Sequence, residues 1–241
     1  MKTFIIQSNL INGHNIPAQS YGYTVIEAIQ YTNWFRGEKI YDFALNGNVE
    51  FEPNCLTRDC VPIGSVEYVI AWLKKMGVAE VKPLNIPPEL WKFCDRQIKL
   101  DYCSNINGHW MLKDTNEIKS AANGEVWFNG DGGNDKKYFL TQWVDDIDSE
   151  WRVFALNKSI RGIRCYSGDE FILPNREYIQ SIVDSYDKKC YTLDVFVNDK
   201  GKHTEIMELH DFFSCGLYGF EDFSVLPMMW ITTINELLNK R

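Results

Sequence analysis

Between Gly64 and Gly77, the apolar residues Val66, Val69, Ile70 and Leu73 recur at i, i+3, i+4 and i+7. That spacing predicts a helix with one buried face, and Gly77 stands where such a helix stops. The rest of the first third reads as short strand-like runs. Val81 to Pro88 holds three prolines and reads as a connector, because proline lacks a backbone donor and disfavours helix in the residue before it. A boundary therefore falls near residue 88, separating an N-terminal α/β domain (1–88) from a larger domain (89–241).

From Trp91 the pattern changes to strands joined by turns. Val126 to Phe128 and Tyr138 to Leu140 flank the loop Asn129-Gly-Asp-Gly-Gly-Asn-Asp135, whose residue types tolerate positive φ. The loop lacks the Lys-Ser/Thr ending of a P-loop, so it reads as a hairpin connection first and a phosphate flap second. Trp151 to Leu156 and Ile160 to Cys165 alternate as a hairpin around Asn157-Lys-Ser159. Asn175 is placed to cap a helix whose inner face carries Ile179, Ile182, Val183 and Tyr186. A second hairpin, Tyr191 to Val197 and His203 to Leu209, surrounds Asn198 to Gly201, and a last helix follows Pro227.

That second hairpin carries the chemistry. Asp194 interrupts the run Leu193-Asp-Val-Phe-Val197, where an unpaired buried charge would be costly. By the two-residue period of a strand, Glu208 and His210 share a face with Ile206. Two acids on neighbouring strands can hold a hard dication, Mg²⁺ above all, together with substrate phosphates; the alternative is a pair of solvated strand carboxylates. Arg152 and Arg164 sit in otherwise apolar strands and need anionic partners, either a phosphate or a structural Asp or Glu.

Composition narrows the classes. The 241 residues carry a formal net charge of -8, which disfavours nonspecific nucleic-acid binding because phosphate neutralisation needs clustered Lys and Arg. No stretch approaches the roughly 20 apolar residues of a membrane helix, so no membrane partner is expected. Seven cysteines without CxxC pairs read as reduced thiols in a cytoplasmic protein and not as a zinc site.

Four segments taken in order, Ser149-Glu-Trp-Arg-Val-Phe154, Gly162-Ile-Arg-Cys-Tyr-Ser-Gly-Asp169, Tyr191-Thr-Leu-Asp194 and Met207-Glu-Leu-His-Asp-Phe-Phe-Ser-Cys-Gly-Leu-Tyr-Gly219, resemble the ATP-grasp superfamily. The resemblance is nearest to the R2K clade, whose members are often encoded by phages and bacteria, and it extends to Val61-Pro-Ile-Gly-Ser-Val-Glu67. It implies an α+β ATP-grasp fold, with subdomains at about 89–145 and 146–241 that clasp ATP, behind the small α/β domain. It further implies an ATP- and Mg²⁺-dependent ligase that joins a small-molecule or peptide carboxylate to an amine through an acyl phosphate. If the gene is phage-borne, the compartment is the host cytoplasm.

Carried over by position, the resemblance implies that Lys113 reaches the nucleotide phosphates, with Arg96, Lys99 and Lys119 at looser basic positions. Gln142, Trp143 and Val144 fall at the hinge that faces adenine. Arg152 and Arg164 are expected at the phosphates and the acyl-phosphate centre. Asp194 and Glu208 are expected to hold Mg²⁺, with His210 standing where the family has Asn and Asp211 available as a substitute oxygen ligand. That departure motivates a second expectation, a catalytically weakened protein serving as a nucleotide-binding or interaction module.

Overall fold

The computed structural model describes residues 1–47, 50–116, 118, 126–129 and 136–239. The chain separates into two compact units. The first comprises Met1–Val81, Lys189–Tyr191 and Asp211–Arg241; the second comprises Lys82–Lys188 and Thr192–His210.

The first unit opens with β1 (Lys2–Ile11), β2 (His14–Pro17), α1 (Ser20–Arg36), β3 (Tyr41–Asn46), β4 (Cys60–Ile63) and α2 (Val66–Lys75). β1 pairs in parallel with β3 and β4 and antiparallel with β2. A parallel strand covered on both faces reads as a continuous apolar run, and Phe4, Ile5, Ile6, Val61 and Ile63 are all buried. α2 falls where the periodicity predicts, its N-terminus capped by Ser65, which accepts the Tyr68 N–H.

α1 is a helix that the hydrophobic pattern did not reveal. Its inner face buries Val25, Ala28 and Ile29, but its outer face exposes Tyr23, Tyr31, Trp34 and Phe35. A helix apolar on both sides presents no one-sided stripe to read.

The second unit contains β5 (Ile98–Tyr102), β6 (Asn107–Asp114), β7 (Val126–Asn129), β8 (Lys137–Gln142), β9 (Ile147–Leu156), β10 (Ser159–Gly168), α3 (Arg176–Ser185), β11 (Cys190–Asn198) and β12 (His203–Asp211), the last two crossing the unit boundary at one end. One sheet has the order β5-β8-β6-β7, the other β10-β9-β11-β12. Ile106, Trp110 and Leu140 form a core of the first sheet. Every residue of β11 from Cys190 to Val197 is buried. β9 and β10 are joined by Asn157 and Lys158, both at positive φ, the two-residue turn that matches strand twist. At the far end of that hairpin a Cβ on Gly168 would lie 2.2 Å from the Asp148 carbonyl oxygen, and its φ of +79° also requires glycine.

β12 is an edge strand, and three of its backbone groups are covered. The Leu209 N–H donates to Asn85 O at 2.7 Å, and Arg96 Nη2 donates to the carbonyls of Ile206 and Met207 at 2.7 and 3.1 Å. Such covering blunts an edge and fixes its position. The chain ends in α4 (Leu226–Asn239), which packs on α1 and β4 in the first unit. Among the described residues, no helix is long and apolar enough to cross a membrane. The Gly-rich loop around residues 130–135 and Lys119 lie outside the described residues.

Candidate functional site

β9 places Arg152 inside a run that buries Trp151, Val153 and Phe154, and the β9–β10 ladder sets Arg164 directly opposite it. Two guanidiniums facing each other repel, so the arrangement demands a counter-charge. Asp194 supplies it to Arg152. Arg152 Nε donates to Asp194 Oδ1 at 2.8 Å and Nη2 donates to Oδ2 at 2.6 Å, a bidentate pair. The side chains are 9% and 2% exposed, which explains how an acid survives within the apolar β11.

A second balanced pair stands beside the first. Lys113, near the end of β6, forms an ion pair with Glu208 Oε2, and His210 Nε2 lies 2.8 Å from Glu208 Oε1. Burial by itself would push the Glu208 carboxyl up. The hydrogen bond from His210 and the Lys113 ammonium override it and hold the group well below the ordinary carboxylate range. Asp194, Glu208 and His210 each offer one ligand atom within 4.8 Å of the others. Two carboxylate oxygens and an imidazole nitrogen so close together fit a divalent cation, and Lys113 and Arg152 neutralise the two acids.

The other sequence-derived candidates fall into place around this group or away from it. Arg96 is buried beneath β12, paired at 3.5 Å with Glu205 and lying over the Phe196 ring, so it anchors the strand and presents no free fork. Lys99 lies over the Trp110 ring at 4.7 Å. Arg164 Nη1 donates to the Ile163 carbonyl at 2.9 Å. Asp211 is buried and is not in the three-residue ligand group.

At the hinge, the Gln142 N–H donates to Gln97 O and the Trp143 N–H to His109 O, so those two donors are taken. The Trp143 ring stacks on His109 at 4.7 Å, giving the segment a flat aromatic surface beside half-buried Val144.

Sequence reasoning missed Tyr166 and Glu150. The Tyr166 ring lies 5.8 Å from the Arg152 guanidinium carbon, and its hydroxyl is 3.5 Å from Met207 Sδ. Burial, then the charges of Asp194 and Glu150, raise its pKa above the usual phenol value. The ladder shifts register between Cys165 and Ser167, so strict alternation misplaces the residue between them.

Residues 115–228 match the model of the ATP-grasp domain, R2K clade family 2. No curated protein matches the chain. Among solved structures, D-alanine–D-alanine ligase from Bacillus anthracis complexed with ATP aligns over 100% of this chain and 99% of its own, at 12% identity and a TM-score of 0.52. A RimK domain ATP-grasp protein from Sphaerobacter thermophilus aligns over 98% and 99%, at 12% identity and a TM-score of 0.50. N5-carboxyaminoimidazole ribonucleotide synthetase from Thermotoga maritima aligns over 96% of this chain and 76% of its own, at 14% identity and a TM-score of 0.50. At such identities the likeness is one of fold, mixed α and β in the ATP-grasp arrangement. With the ordered motifs, residues 115–228 form an ATP-grasp domain similar to R2K clade family 2, within a fold of the ATP-grasp kind.

Proposed function

We propose that the protein is an ATP- and Mg²⁺-dependent ligase that joins a carboxylate, on a small molecule or peptide, to an amine through an acyl phosphate. The observation that carries this reading is the meeting of buried Arg152 and Asp194 with half-buried Lys113, Glu208 and His210 in one group on a fold shared with an ATP-complexed ligase.

In this account the Lys113 ammonium exchanges Glu208 for phosphate oxygens when nucleotide enters, since a compact cation suits either partner. Asp194 and Glu208, with His210, would hold the dication, which supplies charge screening at the phosphates. Arg152 keeps Asp194 oriented, and Arg164, opposite it on the ladder, would meet developing phosphoryl charge. The segment Gln142 to Val144 would meet the adenine through the Trp143 ring and Val144, since the Gln142 and Trp143 N–H groups are already bonded. The substrate carboxylate oxygen bonds to the γ-phosphorus as the bond to ADP breaks. The amine nitrogen then bonds to the acyl carbon, phosphate leaves and the amine loses a proton. No enzyme nucleophile is consumed, so the work is positioning and charge stabilisation.

A second reading, nucleotide binding without turnover, draws on the internal neutralisation of both acids, which leaves the group stable without any ligand. Hydroxylamine trapping separates the two. With ATP, a pool of carboxylates and hydroxylamine, the ligase yields ADP and hydroxamate in equal amounts, and Glu208→Gln yields neither. ADP release independent of any carboxylate, or hydroxamate formation unchanged in Glu208→Gln, would contradict the proposal.

A further inference from the structure

The third member of the ligand group is an imidazole, and its chemistry bears on which ion the group accepts. Mg²⁺ favours an octahedral shell of oxygens. Imidazole nitrogen suits first-row transition dications, whose affinity for mixed nitrogen and oxygen sites rises from Mn²⁺ onward. His210 is held where its nitrogen counts: Nε2 sits 2.8 Å from Glu208 Oε1, and its side chain is only 15% exposed. Its strand is fixed from outside by the Leu209 bond to Asn85 and by the two Arg96 bonds to Ile206 and Met207. The nitrogen is therefore preorganised beside two carboxylates, and an ion seated there takes the place of the proton between Nε2 and Glu208 Oε1, so the ring meets it through Nε2 with its proton on Nδ1. An ion seated between Asp194 and Glu208 meets that ring, and an ion that excludes nitrogen gains only two of the three donors.

We infer that His210 ligates the ion directly and makes this site prefer Mn²⁺ to Mg²⁺. The inference rests on the ligase reading only for the location of the ion, because the preference follows from the donor set itself.

The test uses the whole protein at neutral pH, with ADP present and no carboxylate or amine. Competition calorimetry of Mn²⁺ against Mg²⁺ reads the preference, and electron spin-echo modulation of bound Mn²⁺ reads the ligand. The wild type is expected to show nitrogen modulation that changes when histidine is ¹⁵N-labelled. His210→Gln, which substitutes an amide oxygen, is expected to lose that signal and to lower the Mn²⁺ over Mg²⁺ ratio by at least roughly 10-fold, since even an outer partner of a ligand changes metal affinity on that scale. Mn²⁺ bound by the wild type without histidine nitrogen coupling, or an unchanged ratio in His210→Gln, would overturn the inference. If the variant fails to fold, wild-type modulation still shows histidine on the ion, His210 being the histidine in the ligand group among the described residues, and the wild-type competition still reads the preference. Because no turnover is measured, a protein that shows the coupling yet makes no product would sink the ligase reading and leave this one standing.

Discussion

Arg152 grips both carboxylate oxygens of Asp194, at 2.8 and 2.6 Å, in a pair almost wholly removed from solvent. Removing one member of such a pair strands the other. Arg152→Met is therefore expected to lower folding stability by about 3–5 kcal/mol, and the double variant Arg152→Met with Asp194→Leu to recover much of the loss. Urea unfolding of the single and double variants checks this. A single variant as stable as wild type would show that the pair contributes nothing.

Glu208 provides a pH signature. Its folded pKa is depressed below the ordinary carboxylate value of 4.5. The unfolded state thus binds the proton more readily, so the contribution of this carboxylate is fully present above about pH 5 and fades as the pH falls further. The stability gap between wild type and Glu208→Gln should be widest near neutrality and shrink steadily below pH 4.5. Thermal unfolding across pH 3–7 measures it, and a gap that widened on acidification would carry the wrong sign.

Gly168 closes the far end of the β9–β10 hairpin at φ +79°, against the Asp148 backbone. Alanine there is expected to cost at least about 1–3 kcal/mol from the left-handed backbone alone, with the steric clash adding to it. Asn175 offers a milder comparison. Its side chain accepts the Tyr178 N–H at 3.0 Å, so Asn175→Ala should cost about 1 kcal/mol by loss of the cap. Denaturant midpoints of the two variants should fall in that order.

Much of this was legible from residue order. Asp194 stood out because an acid in an apolar strand needs a partner, and alternation put Glu208 and His210 on one face. The Asn175 cap and the Asn157-Lys158 turn declared themselves by side-chain chemistry. What stayed hidden has physical causes. α1 exposes aromatics on the side that should be polar, so no stripe appears. Tyr166 sits at a register shift that alternation cannot anticipate. Arg96 looked like a phosphate ligand because its sequence position cannot reveal that its fork is spent on the carbonyls of Ile206 and Met207. The partner of Arg152 was open between phosphate and carboxylate until the distance to Asp194 was known.

Lys113 and Asp194 lie far apart in the sequence but meet in one group, and the proposed function requires both for nucleotide binding. Calorimetric titration of ATP into the wild type, Lys113→Ala and Asp194→Asn, each with and without divalent metal, measures that requirement. Metal-dependent binding by the wild type is expected, and its loss in both variants, with each variant's fold verified separately. A folded wild type that binds no nucleotide, or variants that bind it as tightly as wild type, would overturn the proposed site.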